Sequence, residues 1–168
     1  MSRVITFSRL FPSYHPRKGE STNFVEQIWN GLNKLKLPVP KNTDVPSDFL
    51  WSILPLANYG FKYHTIRAGN RFKVGDKFSP RVWSGKPYRS KQIIIAPDIE
   101  IKKVWNFEVD VNGIYCINGL YIPEGTETEI TKNDGLSNGD FFKWFMPNYM
   151  KPKAFKGQII CWNDKIEY

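Results

Sequence analysis

Phe61-Lys62-Tyr63-His64-Thr65-Ile66-Arg67-Ala68-Gly69-Asn70-Arg71-Phe72-Lys73-Val74-Gly75-Asp76-Lys77-Phe78, continuing from Ser79 to Lys91, is the stretch around which the rest of the chain is organised. Nine Lys or Arg residues lie between Lys62 and Lys91 against a single acid, Asp76, so this segment alone carries +8, the net charge of the whole protein. Tyr63, Phe72, Phe78, Trp83 and Tyr88 are threaded through it, and Gly69, Gly75 and Gly85 punctuate it. Such a pattern reads as short strands and tight turns presenting cations and flat rings. The matching partner is a polyanion.

Outward from this stretch, 168 residues suffice for one domain with a real core. Hydrophobic residues at 41% and aromatics at 15% suit a β-rich core with some rings left outside, and they argue against disorder. No apolar run approaches a membrane span and Met1 to Thr6 lacks a signal-peptide pattern, so a cytoplasmic protein without a membrane partner is expected. Cys116 and Cys161, each flanked by apolar residues, read as free thiols. Two isolated cysteines and two histidines without ligand spacing give no metal site, and no cofactor is expected.

Before the central stretch, Arg3 to Ser8 alternates as a strand, with Ile5 and Phe7 the face that buries more. Arg9 to Glu20, with Pro12, Pro16 and Gly19, is a loop. Asn23 and Glu26 form a capping-box pattern ahead of Phe24, Val25, Ile28, Trp29 and Leu32 at helical spacing, so a helix is expected to near Leu35. Pro38, Pro40 and Pro46 make an extended connector, and Ser47 to Leu54 reads as a short helix.

Within and after the stretch, strands are expected at Lys62 to Arg67, at Lys77 to Trp83, where Pro80 implies an edge or bulge, at Arg89 to Ala96 and at Ile99 to Val111. Ile93-Ile94-Ile95 implies burial on both faces. Asn112-Gly113 and Asn118-Gly119 are hairpin signals. Ser137, Asn138 and Asp140 precede an aromatic helix halted by Pro147, and Gly157 to Trp162 is a closing strand. The sum is an α+β chain: a small mixed β-barrel of six or seven strands with two or three peripheral helices.

The run Lys62-Tyr63-His64-Thr65-Ile66-Arg67, followed by Gly75-Asp76 and a strand, resembles the signature of ASCH domains of the PUA-like superfamily, a Lys-x-x-Thr-x-Arg run ahead of a Gly-Asp turn. The resemblance covers the first strand and residues 61 to 162. It implies one PUA-like domain over 1–168, with a helical and proline-rich elaboration at about 9–60. Small acetylcytidine amidohydrolases of that family are similar, and the likeness implies catalytic roles for Lys62 and Thr65 beside a carboxylate best matched by Asp134. Those enzymes have a glutamate where this chain has the shorter aspartate.

Read from the residues, Thr65 as a nucleophile needs a base, and Lys62 serves only if its amine is neutral. His64, Arg67, Arg71 and Lys73 supply a field that lowers it, and Arg67 is placed to stabilise an oxyanion. Positions 62 and 65 have opposite parity, so a bulge or turn must bring them together. The alternative is that Thr65 fills a strand position, Lys62 is solvated and Asp134 caps a turn. For binding, Arg71, Lys73, Lys77, Arg81, Lys86, Arg89 and Lys91 are the candidates to track phosphates and Tyr63, Trp83 or Tyr88 to stack a base, with His64, a candidate for acid–base work, and Arg67 as ligand contacts in the pocket. Three functions follow as expectations: binding of RNA or a modified nucleoside, hydrolysis of a nucleobase amide or RNA phosphodiester, and docking on an acidic partner.

Overall fold

The computed structural model describes residues 2–40, 58–147 and 153–168. The short helix expected at 47–54 and most of the proline-rich connector lie outside the described residues. The architecture is α+β, with nine strands and three helices among the described residues. One sheet holds β1 (Arg3–Phe7), β3 (Lys77–Trp83), β4 (Gln92–Ile94) and β5 (Ile99–Glu100). The other runs in the order β2-β9-β6-β7-β8, with β2 His64–Ala68, β6 Lys103–Val109, β7 Tyr115–Ile117, β8 Leu120–Tyr121 and β9 Phe155–Cys161. The helices are α1 (Phe24–Lys34), α2 (Thr126–Asn133) and α3 (Asn138–Phe145). The strands thus form two sheets, and among the described residues no pairing closes them into the expected barrel.

β9 joins the two layers. Its neighbours along the strand point to opposite faces, so Ile160 and Trp162 feed one apolar core while Ile159 and Cys161 feed the other. The first core receives Ile5 and Phe7 of β1, the register that buries more, while Val4 on the other face is exposed. It also receives Val25, Ile28, Trp29 and Leu32 of α1. Each of these side chains contributes roughly 1.5–3 kcal/mol by leaving water. The helix itself begins differently from the expectation. Asn23 has φ 54° and makes no side-chain cap bond; Thr22 Oγ1 accepts from the Phe24 N–H instead, at 3.3 Å.

Pro80 sits in a strand with neighbours on both sides, since β1 pairs parallel to β3 and β4 and β5 pair antiparallel to its two ends. Its carbonyl accepts from Ile95 N–H, so the side lacking a donor faces the break between β4 and β5. The Ile93-Ile94-Ile95 run is not buried on both faces, because β4 is an outer strand with Ile94 exposed and only Ile95 fully enclosed. Both Asn-Gly turns join consecutive strands, and Asn118 and Gly119 take φ of 50° and 82°. α2 has no counterpart in the sequence reading; it buries only Ile130 and Thr131, too narrow a stripe to show as helical periodicity.

A buried lysine–aspartate pair in an aromatic cleft

Lys62 precedes β2 rather than belonging to it. Its N–H donates to Gln27 O of α1, Tyr63 N–H donates to Asn133 O at the end of α2, and Trp162 N–H donates to Tyr63 O. This three-way anchorage frees Lys62 from strand parity, so its side chain shares a cavity with Thr65, the parity conflict noted above. Gly31 makes the anchorage close: a Cβ there would lie 2.6 Å from Lys62 O.

Asp134 is held from the other side. It ends α2, and Gly135 at φ 81° reverses the chain while its N–H bonds Lys132 O and the Leu136 N–H bonds Thr131 O. That is the Schellman closure, with Leu136 and Ile130 in one apolar cluster as the motif requires. The carboxylate is thereby aimed at Lys62, whose Nζ lies 2.7 Å from Oδ1 and also donates to the Asp134 carbonyl. The shorter aspartate therefore reaches its lysine. The ammonium rests 4.2 Å from the centre of the Phe24 ring.

Lys62 is 1% exposed and Asp134 5%. Burial pulls the Lys62 amine down to about 8 against the opposing pull of Asp134, and the Arg67 cation adds to the lowering. Burial raises the Asp134 carboxyl, with Lys62 and Arg67 restraining it. A carboxylate at a helix C-terminus also faces the negative end of the helix dipole, whereas the Lys62 ammonium complements it. Lys62 thus caps the C-terminal end of α2 through the Asp134 carbonyl.

A cavity of about 820 Å³ opens over this pair. Lys62, Thr65, Arg67 and Asp134 line it together with Trp83, Lys86 and Tyr88. Thr65 is buried, and Trp83 is part-exposed with its ring 5.4 Å from that of Tyr88. Sequence reasoning missed much of the wall: Ser8 to Ser13, Phe24, and Trp144 and Phe145 of α3. The loop after β1 is held in place by Arg17, which contacts Asp140 Oδ2 at 2.7 Å, and by Tyr14, which donates to Trp144 O at 3.3 Å. Its aromatic and cationic composition was visible in the sequence, but nothing local says what it faces.

The remaining candidates stand apart from the cavity. His64 points to the opposite side of β2 from Thr65, as strand alternation dictates. It is fully buried, edge-on to Tyr168 at 5.6 Å, with Nδ1 3.6 Å from Asp134 Oδ1. Burial, reinforced by Lys62, holds it well below the ordinary histidine range, so the ring is neutral at pH 7 and offers no cation to a phosphate. Arg81 bonds Ser79 Oγ and Gln92 Oε1. Arg71, Lys73 and Arg89 are exposed and do not line the cleft.

Among the described residues no group of three His, Cys, Asp or Glu is placed to hold a metal ion, and no helix is long and apolar enough to cross a membrane. No family model matches the chain, nor does any curated protein or solved structure.

Proposed function

We propose that the cleft binds a nucleoside, as the ASCH-like run implies. One observation carries this reading: seven residues chosen for charge, ring or hydroxyl, spread from position 62 to position 134, line one cavity of about 820 Å³. That volume lies within the roughly 300–1,000 Å³ of small-ligand sites. Trp83 and Tyr88 offer faces for a base, and the Lys62–Asp134 pair offers a donor and an acceptor for its polar edge. Tracking of an RNA backbone has weaker support, because Arg71, Lys73, Arg81 and Arg89 do not line the cleft.

Calorimetric titration with acetylcytidine and the common nucleosides, at ~50 and ~200 mM salt, tests the proposal. Saturable binding that changes only a few-fold between the two salts is expected. Absence of binding by every nucleoside, with single-stranded RNA bound and lost ~10³-fold or more over that salt range, would replace the pocket with a phosphate-tracking surface.

A second reading, amide hydrolysis, is favoured by the Lys62 amine drawn down to about 8 in a cavity that Thr65 also lines. Neutral Lys62 takes the Thr65 proton as Oγ attacks the acyl carbonyl, then returns it to the departing amino group. Water releases the acyl group from Thr65 in the reverse sense. Asp134 holds the lysine in place and favours its cationic form once the proton has been taken. The expected signature is kcat that rises as pH passes through about 8.

A further inference from the structure

The cleft carries more positive charge than a neutral nucleoside needs. Arg9, Lys62, Arg67 and Lys86 line it against one carboxylate, Asp134. Lys62 and Asp134 satisfy each other. Even with Arg9 set aside, Arg67 and Lys86 remain, and among the described residues no carboxylate lies within ion-pair distance of either. Arg67 gives one N–H to a neutral group, Thr6 O at 2.7 Å, while its Nε is buried without an acceptor. A part-buried guanidinium whose buried Nε finds no acceptor, with Asp134 already bound to Lys62, calls for a further anionic partner.

Topology gathers these groups. β1 and β3 run parallel with Phe7 opposite Val82, so the chain leaves both strands at the same end of the sheet, Arg9 from one and Lys86 from the other. Arg67 is tied to that end through Thr6 and is close enough to Asp134 for the carboxylate to favour its charge. The turn bearing Lys86 is fixed by Gly85 N–H to Ser90 Oγ at 2.9 Å and Ser90 Oγ to Lys86 O at 2.9 Å. Tyr88 follows at φ 62°, 88% exposed at the cavity wall.

We infer that the ligand is a nucleoside monophosphate, its phosphate held by Arg67 and Lys86 and its base directed toward the Lys62–Asp134 pair. This rests on the nucleoside reading and narrows it. Charge-assisted bonds from a guanidinium and an ammonium favour the phosphorylated ligand by about 10- to 100-fold.

The test is calorimetric titration of the full chain with acetylcytidine and the four common nucleosides, each against its 5′-monophosphate at ~100 mM salt. Lys86→Ala and Arg67→Gln are titrated in parallel, with thermal melts to confirm folding. The monophosphate is expected to bind at least ~10-fold more tightly, and Lys86→Ala is expected to cut that ratio to a few-fold. Equal affinities, or a ratio untouched by Lys86→Ala, would overturn the inference and leave the nucleoside pocket standing. Binding of neither form would overturn both. Binding of an oligonucleotide without any monophosphate would put a polymer in place of the single nucleotide.

Discussion

Lys62 and Lys73 belong to one basic stretch, yet the fold gives them opposite fates. Lys62 is 1% exposed, locked to Asp134 and drawn down to about 8, while Lys73 is exposed and its backbone closes a turn with Asp76, the Lys73 N–H donating to Asp76 Oδ2 at 3.0 Å and the Lys73 carbonyl accepting from Asp76 N–H at 3.1 Å. Arg67 and Lys86 likewise face the cleft, and Arg71 and Arg89 do not. Charge count locates the region; a place in the cleft decides which charges meet a ligand, and burial decides which of them is shifted in its titration, as at Lys62. An exposed cation that lies away from the cleft keeps its water and contributes long-range attraction.

The largest effect expected from this contrast is in stability. Lys62→Met strands the Asp134 carboxylate in the interior and should cost about 3–5 kcal/mol in urea unfolding, whereas Lys62→Met with Asp134→Leu should recover most of it. A single variant as stable as the wild type would show the pair is not buried. The same pair sets a pH window. The unfolded lysine titrates near 10.5 and the folded one at about 8, so between these values the unfolded chain holds more protons and stability rises with pH. The rise, on the order of 3 kcal/mol, ends near 10.5, and none is expected below about 8 from this group. Urea midpoints across that window, compared with the double variant, isolate it; a flat difference would contradict the depressed amine.

A smaller loss, about 1–3 kcal/mol, is expected of Gly31→Ala, whose Cβ would press to 2.6 Å on Lys62 O and shift the catalytic candidate with it. Denaturant midpoints and nucleoside affinity should fall together. The smallest effect belongs to the outer cations: Arg71→Ala with Lys73→Ala should change stability by no more than ~0.5 kcal/mol and leave nucleoside affinity alone. A large drop in affinity would erase the distinction between inner and outer charge.

What was legible in the chain was local. The run from Lys62 to Arg67, the Asn-Gly turns, the helical stripe of α1 and the Ser137 cap, which accepts from Asp140 N–H at 3.1 Å, all depend on neighbours within a few residues. The wall of the cleft depends on distant pairings. Ser8 to Ser13 reach the site because β1 lies parallel to β3, some seventy positions on, and Trp144 because the loop after β1 is tied to α3. The side on which His64 lies was fixed by alternation once β2 was known to start at His64, but the sequence placed the strand start at Lys62. That the described strands form two sheets and not the expected closed barrel has a related reason: strand count was approximately legible, but which strands share hydrogen bonds was not.

The most direct test of the central proposal, that Lys62, Thr65 and Asp134 belong to one nucleoside site, and of the hydrolytic reading built on it, is binding and turnover of acetylcytidine and related acylated nucleosides followed by calorimetry and chromatography. The folded Thr65→Ala protein is run beside the wild type. Deacylation by the wild type that rises through about pH 8 and is lost in Thr65→Ala is the predicted result. Deacylation that Thr65→Ala retains would contradict the assigned roles, and no turnover by a wild type that still binds the nucleoside would leave a recognition pocket without chemistry.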